Sequence, residues 1–436
     1  MKPINVGLLG IGTVGGGVFD VLKRNADEIA RRAGREIRIT AVADRDIERA
    51  RQRLAGEGVI LTDDALSVTR DPEIDIVVEL IGGDTVAKEL ALSAIENGKH
   101  FVTANKALLA VHGNEIFAAA RRRDVMVAFE AAVAGGIPII KALRESLSAN
   151  RIEWVAGIIN GTTNFILSEM RDKGLPFDEV LKQAQRLGYA EADPTFDIEG
   201  VDAAHKATIM SAIAFGIPMQ FDRAYIEGIS RLEPVDIAYA GQLGYRIKLL
   251  GIARKRPKGI ELRVHPALVH ASKLLANVEG AMNAVLVQAD AVGATLYYGK
   301  GAGAEPTASA VIADLVDITR LHTADPEHRV PHLAFQPDQV LEMPVLPIGE
   351  TVTSFYLRVR VLDEPGVLAD ITRILADSDI SIGAMIQREA GEGESQTDII
   401  MLTHQTVEKN ADAAIARIEA LSSVQGKVTR LRLETL

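Results

Sequence analysis

The densest group of chemically active side chains lies between residues 188 and 206, where five carboxylates and a lysine occur in an otherwise apolar stretch. Asp202 and Lys206 are four residues apart, so they share one face of a predicted helix. An exposed pair of this kind is worth only about 0.3–0.5 kcal/mol and needs no function. Two glycines and a proline, however, fix a loop that brings acidic groups to this helix, which favours a functional cluster. A lysine in a dry site can stabilise an oxyanion and also supply its proton.

A glycine motif, G-x-G-x-x-G, follows the first predicted strand directly and opens the first predicted helix. Gly10 makes the tight turn, Gly12 lets the backbone approach a pyrophosphate, and Gly15 allows close packing of helix on strand. The motif alone is a weak signal. Its position between a strand and a helix favours dinucleotide binding, with the anion at the helix N-terminus beside Thr13 and Val14.

Two residues after the second predicted strand concern the choice of nucleotide. Asp44 can accept hydrogen bonds from the adenosine ribose. It lies farther from the glycines than the usual ~20 residues, which a long first helix ending near Ala33 explains. Arg45 is of the type that binds a 2′-phosphate. The pair leaves NAD(H) and NADP(H) both open, and a plain loop carboxylate is the alternative interpretation of Asp44.

A parallel, doubly wound sheet is the element expected to carry this motif. Strands that are apolar on both faces and separated by helices indicate an α/β domain. The predicted strands are Ile4 to Leu9, Arg38 to Ala43, Ile74 to Glu79, His100 to Thr103 and Val125 to Phe129. We place this Rossmann-like domain at residues 1–135, because Gly135 and Gly136 interrupt the pattern.

An α+β domain over residues 136–320 is predicted to carry the charged cluster. Its predicted helices are Thr163 to Arg171, Phe177 to Leu187, Gly200 to Phe215 and Thr307 to Thr319. Its predicted strands are Glu153 to Ile159, Glu261 to Val264, Asn283 to Ala289 and Ala294 to Tyr298. Residues 321–350 contain five prolines, which forbid a long helix and indicate a linker.

Residues 351–436 have the order β-α-β-β-α-β, which is typical of a small ferredoxin-like domain. Alternation from Phe355 to Val361 predicts a half-buried strand before the turn Asp363 to Gly366. The further predicted elements are Val367 to Asp377 (helix), Ser381 to Arg388 and Asp398 to His404 (strands), Ala411 to Leu421 (helix) and Lys427 to Leu433 (strand). We expect this domain to be self-contained, so that the preceding residues fold and act without it.

The composition excludes several classes of protein. The 436 residues are 47% hydrophobic and 25% charged, as in ordinary globular proteins. A net charge of −11 without a basic stripe argues against nucleic acid and anionic membranes as partners. The absence of cysteine excludes disulfides, thiolate metal sites and a cysteine nucleophile. With no leader pattern and no apolar run of membrane-spanning length, we expect a cytoplasmic protein.

The run A-x3-G-Y-x3-D-P-x2-D-x2-G-x-D-x3-K, from Ala184 to Lys206, resembles the signature of homoserine dehydrogenases. Four further blocks are similar to other parts of that family, namely V-T-A-N-K from Val102, E-A-A-V-A-G-G-I-P from Glu130, G-I-I-N-G-T-T-N from Gly157 and G-K-G-A-G-A-E-P-T-A-S from Gly299. The resemblance extends over most of the chain. It implies NAD(P)H-dependent reduction of L-aspartate 4-semialdehyde to L-homoserine, a step in threonine, methionine and isoleucine synthesis.

The same resemblance implies roles for individual residues. Lys206 is the implied proton donor, Asp202 binds substrate and orients the transfer, and Lys106 lies where nicotinamide and substrate meet. Further implied contacts are Gly188, Glu191, Asp197 and Thr162 for substrate, and Gly303 and Glu305 for cofactor. The resemblance also implies a Na⁺ site formed by Glu130 with the backbone carbonyls of Val133, Gly135 and Ile137, and hard oxygen ligands of this kind suit Na⁺.

The segment L-D-E-P-G-V-L, from Leu362 to Leu368, resembles the opening of ACT domains. Such domains commonly pair and bind an amino acid between this loop and a neighbouring strand. Asp363, Gly366 and the stretch Ile382 to Gln387 are the candidates, threonine is the implied effector, and a homodimer or homotetramer is the implied assembly. A dimerisation module without a ligand is the alternative.

Two other enzymes and one non-enzyme are the alternatives to this interpretation. A non-catalytic NAD(P)-binding amino-acid sensor accounts for the glycines and the ACT domain but not for Lys206 and its carboxylates. Aspartate-semialdehyde dehydrogenase needs a cysteine nucleophile, which the chain lacks. A fused aspartokinase is not expected, because the glycine motif begins ten residues into the chain.

Overall fold

The structure is a computed structural model that describes residues 2–388, 393 and 395–436. Three packed units are built on two β-sheets, of which the second and third units share one. Within the described residues, no helix is both long and apolar enough to cross a membrane.

The first unit is a six-stranded parallel sheet with the order β3-β2-β1-β4-β5-β6. Its strands are β1 Ile4–Leu9, β2 Ile37–Ala43, β3 Ile60–Thr62, β4 Ile76–Glu79, β5 His100–Thr103 and β6 Val127–Ala128. The prediction of a doubly wound parallel sheet is confirmed. The short edge strand β3 was not predicted. It is only three residues long and partly exposed, so it does not form a recognisable apolar run.

Six helices connect these strands, namely α1 Thr13–Arg24, α2 Ala26–Ala33, α3 Ile47–Arg53, α4 Ala65–Arg70, α5 Thr85–Glu96 and α6 Lys106–Arg122. The predicted long first helix does end at Ala33, but it is divided at Asn25 into α1 and α2. The extra helical residues account for the long interval between the glycine motif and Asp44.

The second unit carries six strands and seven helices. The strands are β7 Ile152–Ile158, β8 Tyr225–Ile226, β9 Tyr245–Arg256, β10 Gly259–His270, β11 Met282–Ala289 and β12 Gly293–Lys300. The helices are α7 Ile139–Lys141, α8 Gly161–Lys173, α9 Phe177–Arg186, α10 Thr195–Ile198, α11 Val201–Phe215, α12 Pro234–Gln242 and α13 Ala304–Leu321. The sequence predicted only four residues of β10 and none of β9, because both strands are buried almost throughout and lack alternation.

Two helices of this stretch matter for the site. Every residue of α11 from Asp202 to Phe215 is buried, and the helix packs on β7, β9 and β10 on one side and on α6 on the other. Helix α13 instead returns to the first unit, where Val311 and Leu315 join the core of β1 and α1. The first unit is therefore completed by a helix that follows the strands of the second unit in sequence.

The third unit has the predicted β-α-β-β-α-β order with one additional short strand. Its elements are β13 Val352–Leu362, α14 Val367–Asp377, β14 Ile382–Gln387, β15 Gln396–Thr403, β16 Thr406–Val407, α15 Glu408–Glu419 and β17 Thr429–Glu434. It has a core of its own, in which β13 and β15 pack on the two helices.

The third unit shares its sheet with the second unit, which argues against the expectation that the preceding residues fold without it. Strand β17 pairs in parallel with β10, so the strands of the second and third units form one continuous sheet, β12-β11-β7-β9-β10-β17-β13-β15-β14. The linker also lies against the second unit, since the N–H of Leu341 donates to the Gly216 carbonyl at 2.8 Å and that of Leu346 to the Ile260 carbonyl at 2.8 Å.

Buried ion pairs cross the same junction. Arg263 of β10 pairs with Glu434 of β17, and both side chains are almost inaccessible to water. Arg432 donates across the junction to Glu227 of the second unit at 2.8 Å and, within the third unit, to Glu408 at 2.9 Å. The Asp236 carboxylate of α12 accepts from Arg358 Nε at 2.6 Å and from the Tyr356 hydroxyl at 3.1 Å, both on β13. A buried charge that loses its partner is costly, so these pairs tie the two units together.

Candidate active site

The glycine loop between β1 and α1 has the geometry of an anion site. Gly10 has a positive φ of 94°, which other residues rarely adopt. A Cβ at Gly15 would collide with the Gly10 carbonyl oxygen, so the close turn requires glycine there. Gly12 precedes α1 and no side chain caps the helix. The first N–H groups of α1, including those of Thr13 and Val14, therefore face a position that fits a pyrophosphate.

Asp44 lies directly beside this loop. Its Oδ2 accepts from the Ile11 N–H at 2.8 Å and its Oδ1 from the Asp46 N–H at 2.9 Å. Arg45 is exposed. Arg49, which the sequence analysis missed, places its Nη2 3.7 Å from Asp44 Oδ2 and 3.9 Å from the Cβ position of Gly12. Its position on the helix that follows Asp44 is the signal that could have identified it.

The carboxyl ends of β4 and β5 add a second polar group that sequence reasoning missed. The buried carboxylate of Glu79 accepts from the Ile81 N–H at 2.8 Å and from the Thr103 hydroxyl at 2.6 Å. Burial raises the pKa of Glu79. Asn105 caps α6 through its side-chain oxygen and so fixes the first residue of that helix, Lys106. Glu79, Thr103 and Asn105 lie at the topological switch point of the sheet, where ligands of such sheets bind.

A buried cluster joins the first two units at Asp202. Lys206 Nζ donates to Asp202 Oδ2 at 2.6 Å and to the Ile159 carbonyl at 2.7 Å. Lys106 Nζ lies 3.1 Å from Asp202 Oδ1. Asn160, which the sequence analysis did not single out, donates from Nδ2 to Asp202 Oδ2 at 2.9 Å and to Asp197 at 2.7 Å. The spacing of Asp202 and Lys206 thus produces a buried pair, and Lys106 reaches it from the dinucleotide sheet.

The electrostatics of this cluster distinguish its two lysines. Burial lowers the pKa of Lys206, against the opposing attraction of Asp202. Attraction to Asp202 raises the pKa of Lys106, which is partly exposed and so loses less hydration. The two lysines hold the pKa of Asp202 well below its usual range although burial opposes them. Burial and the charge of Asp202 raise the pKa of Asp197.

The other predicted substrate residues surround this cluster with different accessibility. The Thr162 hydroxyl donates to the Tyr189 carbonyl at 2.6 Å and so holds the loop next to Gly188. Gly188 ends α9 with a φ of 76°. Glu191 is exposed, but its charge raises the pKa of Lys106. His205 lies outside the cluster, with its ring 4.2 Å from that of Phe221.

The predicted cation loop is tightly built around Glu130. Both carboxylate oxygens of Glu130 accept backbone N–H groups at the start of α7, from Ile140 at 2.9 Å and from Lys141 at 2.8 Å. The loop contains two residues with positive φ, Ala134 (55°) and Gly135 (47°). Within the described part of the chain, no N–H donates to the carbonyls of Val133 or Gly135. Hard oxygen atoms are thus present, but the Glu130 side chain is engaged in capping the helix.

Two further predicted sites lie apart from the lysines. Gly303 precedes α13, where Ala304 lies against Gly17 of α1. The Glu305 carboxylate pairs with Arg24 at 2.7 Å, at the opposite end of α1 from the glycine loop, so the structure does not bring it to that loop. In the third unit, Gly366 begins α14 with a φ of 97°, and the N–H of Asp363 donates to the Ser395 carbonyl at 3.0 Å. The edge strand β14 coincides with the predicted stretch Ile382–Gln387.

The fold and the site together define an NAD(P)-dependent oxidoreductase that acts on a CH–OH group. A curated homoserine dehydrogenase from Pseudomonas aeruginosa is 61% identical over the full length of both chains. The chain belongs to the homoserine dehydrogenase family. Family models for "Homoserine dehydrogenase, NAD binding domain", "Homoserine dehydrogenase" and "ACT domain" match residues 10–130, 138–316 and 355–423. The resemblance inferred from the sequence is confirmed, and a non-catalytic sensor is not supported.

Two solved structures extend the comparison. The crystal structure of a homoserine dehydrogenase from Thiobacillus denitrificans has 70% identity and a TM-score of 0.95, and covers 100% of this chain and 99% of that one. A hyperthermophilic archaeal homoserine dehydrogenase mutant in complex with NADPH has 25% identity and a TM-score of 0.63, and covers 73% of this chain and 98% of that one.

Proposed function

We propose that Lys206 is the general acid that protonates the developing alkoxide when L-aspartate 4-semialdehyde is reduced to L-homoserine. The buried Lys206–Asp202 pair, faced by Lys106 from the dinucleotide unit, carries this proposal. A bound nicotinamide cofactor supplies the hydride. Two hydrogens of the Lys206 ammonium are held by Asp202 and the Ile159 carbonyl, which leaves the third for the substrate oxygen. Burial lowers the pKa of Lys206, and a pKa nearer working pH makes it a better proton donor.

The carboxylates supply the binding site for the charged end of the substrate. Asp197 uses Oδ1 to accept from Asn160, and no donor within the described residues contacts its Oδ2. That oxygen can accept from the substrate ammonium, together with Glu191 at the exposed side of the loop. We propose that Thr162 and Gly188 shape the same pocket through the loop around Tyr189. Asp202 stays ionised between two lysines and orients both.

Initial rates with the semialdehyde, NADPH and NADH test this function directly. Oxidation of the cofactor that depends on the semialdehyde supports the proposal. Cofactor binding without semialdehyde-dependent oxidation would instead indicate a nucleotide-binding protein without this activity. A parallel series with and without threonine measures regulation in the same assay.

The choice between NADPH and NADH is expected to depend on Asp44 and its arginine neighbours. Asp44→Asn keeps an oxygen for the Ile11 N–H but removes the charge that repels a 2′-phosphate, so kcat/KM should shift towards NADPH. Arg45→Ala and Arg49→Ala should shift the ratio towards NADH. An exposed arginine on the far side of the sheet unit, Arg123, serves as the control for loss of positive charge. An unchanged ratio in all three variants would place them outside the adenosine pocket.

A monovalent cation near Glu130 is also part of the proposal. The carbonyl groups of Val133 and Gly135 suit Na⁺ as hard oxygen ligands, with Ile137 and Glu130 completing the loop. The cation would stiffen the strained turn between the dinucleotide sheet and α7.

We also propose a cytoplasmic location. Cell fractionation with immunodetection tests it.

Self-association is supported by the two open edges of the long sheet. Strand β12 exposes Tyr298 and strand β14 exposes Met385, and exposed edges with apolar side chains favour pairing with another chain. We propose a homodimer or homotetramer. Light scattering on the purified protein distinguishes these states.

Threonine is proposed to bind the loop before α14 and the neighbouring strand β14. Asp363→Ala is expected to weaken threonine inhibition by at least about tenfold in threonine concentration, while kcat without threonine stays unchanged, because the loop lies in the third unit. Asp377→Ala, in the exposed last turn of α14, is the matched control. Equal inhibition of the parent enzyme and Asp363→Ala would place the effector elsewhere.

A further inference from the structure

Asn160 lies between β7 and α8, and its side-chain amide is used completely. Nδ2 donates to Asp197 Oδ1 at 2.7 Å and to Asp202 Oδ2 at 2.9 Å. Oδ1 accepts from the N–H of Thr163 at 2.8 Å and from its hydroxyl at 2.9 Å, which caps α8. An asparagine amide has two donor hydrogens and two acceptor sites, so all four are occupied. Asn160 is itself buried.

The two carboxylates held by this amide carry like charges and therefore repel each other. Burial and the charge of Asp202 raise the pKa of Asp197, and the hydrogen bond from Asn160 opposes both. Lys106 from α6 and Lys206 from α11 face the pair. Glu191, from the loop before α10, acts on Lys106, and the charge of Asp202 also acts on His205 of α11. One rigid NH₂ group therefore sets both the separation of the carboxylates and the oxygen that each presents to the substrate.

The preceding residue fixes the other half of the cluster. The Ile159 carbonyl accepts from Lys206 Nζ at 2.7 Å, while Asn160 holds the Asp202 oxygen that the same ammonium contacts. Both atoms follow β7 directly, in a part of the chain tied to the central sheet. The junction between β7 and α8 therefore fixes the orientation of Lys206, Asp202 and Asp197 together.

We propose that Asn160 is a positioning residue for hydride transfer, which keeps one oxygen of Asp197 open to the substrate ammonium and holds the Asp202–Lys206 pair at the reacting carbonyl. This inference rests on the roles proposed above for Lys206 and Asp197. Displacements of about 1 Å at such a site can cost about 10² in rate, so a change confined to this amide has a large kinetic effect.

Asn160→Ser separates positioning from helix capping, because serine caps helices about as well as asparagine but is too short to reach both carboxylates. We expect kcat/KM for the semialdehyde to fall by about 10²-fold, while the Kd for NADPH is unchanged. The pKa of Asp197 should rise without the amide bond, so the acid limb of kcat/KM should move to higher pH. Asn160→Asp, which retains a capping oxygen, should lose at least as much kcat/KM.

Thr163→Val is the matched control, because it removes a bond on the capping side alone. It should keep the parent kcat/KM and pH profile. Parent-like kinetics and acid limb in Asn160→Ser would overturn the proposal, as would loss of folding in both Asn160 variants while Thr163→Val folds. Parallel assays of Lys206→Met distinguish a failure of the role proposed for Lys206 from a failure of the role proposed for Asn160. If that variant keeps its turnover, the proposed role of Lys206 fails, whereas parent-like Asn160 variants beside an inactive Lys206→Met contradict only the role of Asn160.

Discussion

Lys206→Met is expected to lower kcat by about 10²–10⁴-fold, because methionine fills the space of the buried lysine but cannot donate a proton or stabilise the alkoxide. The loss corresponds to about 2.7–5.4 kcal/mol of transition-state stabilisation. The Kd for NADPH should be nearly unchanged, since Lys206 contacts Asp202 and the Ile159 carbonyl rather than the glycine loop. Stopped-flow or steady-state rates with the semialdehyde measure the effect.

Lys248 offers a matched control for replacing a buried lysine. It lies on β9, donates to the Val278 carbonyl at 2.6 Å and to Asn164 at 3.1 Å, and burial lowers its pKa to about 8. Lys248→Met should lower the Tm without a comparable loss of kcat. If Lys206→Met turns over at the parent rate, or if Lys248→Met loses as much kcat, then proton donation by Lys206 is wrong.

The pH profile of semialdehyde reduction follows from the same groups. The protonated form of Lys206 is the acid, so activity should be lost as the pH rises through its pKa, which burial lowers from 10.5. The ionised form of Asp197 binds the substrate ammonium, so activity should be lost as the pH falls through its pKa, which burial raises from 3.8. The active range should be narrower at both ends than ordinary lysine and aspartate values would give.

Removal of residues 351–436 is expected to abolish folding of the remaining chain. Truncation leaves Arg263 without Glu434 and Asp236 without Tyr356 and Arg358. Truncation uncovers apolar side chains of the second unit, because Tyr356, Ile400 and Leu431 of the third unit belong to the same hydrophobic core. It also leaves the edge of β10 without its neighbouring strand. Circular dichroism and thermal unfolding of residues 1–350 measure the result.

Single substitutions in the full-length chain test the same junction without a long deletion. Glu434→Gln, at the buried pair with Arg263, should lower the free energy of unfolding by several times more than Lys427→Ala, since the Lys427–Glu419 pair is exposed at the lysine. A fragment of residues 1–350 that unfolds cooperatively and reduces the semialdehyde would show instead that the junction contributes little, and the third unit would then be separable after all.

Local patterns predicted the parts of the site that lie close together in sequence. The i,i+4 spacing of Asp202 and Lys206 gave their contact, and G-x-G-x-x-G between a strand and a helix gave the dinucleotide loop. The pairing of β10 with β17 could not be predicted, because it joins residues such as Arg263 and Glu434 that are 171 positions apart. Asn160 escaped notice because an asparagine before a helix already has a structural explanation as a cap.

The register between β10 and β17 restricts how the third unit can move. The strands pair Ala267 with Arg432, Leu268 with Leu433 and Val269 with Glu434. A slip by one residue would present Leu433 or Thr435, in place of Glu434, to the guanidinium of Arg263, because side chains alternate along a strand. The two strands can therefore slide past each other only by whole residues, and each such step breaks the buried pair between Arg263 and Glu434. Rotation of the third unit relative to the second is therefore limited to changes in the twist of strands that stay in register.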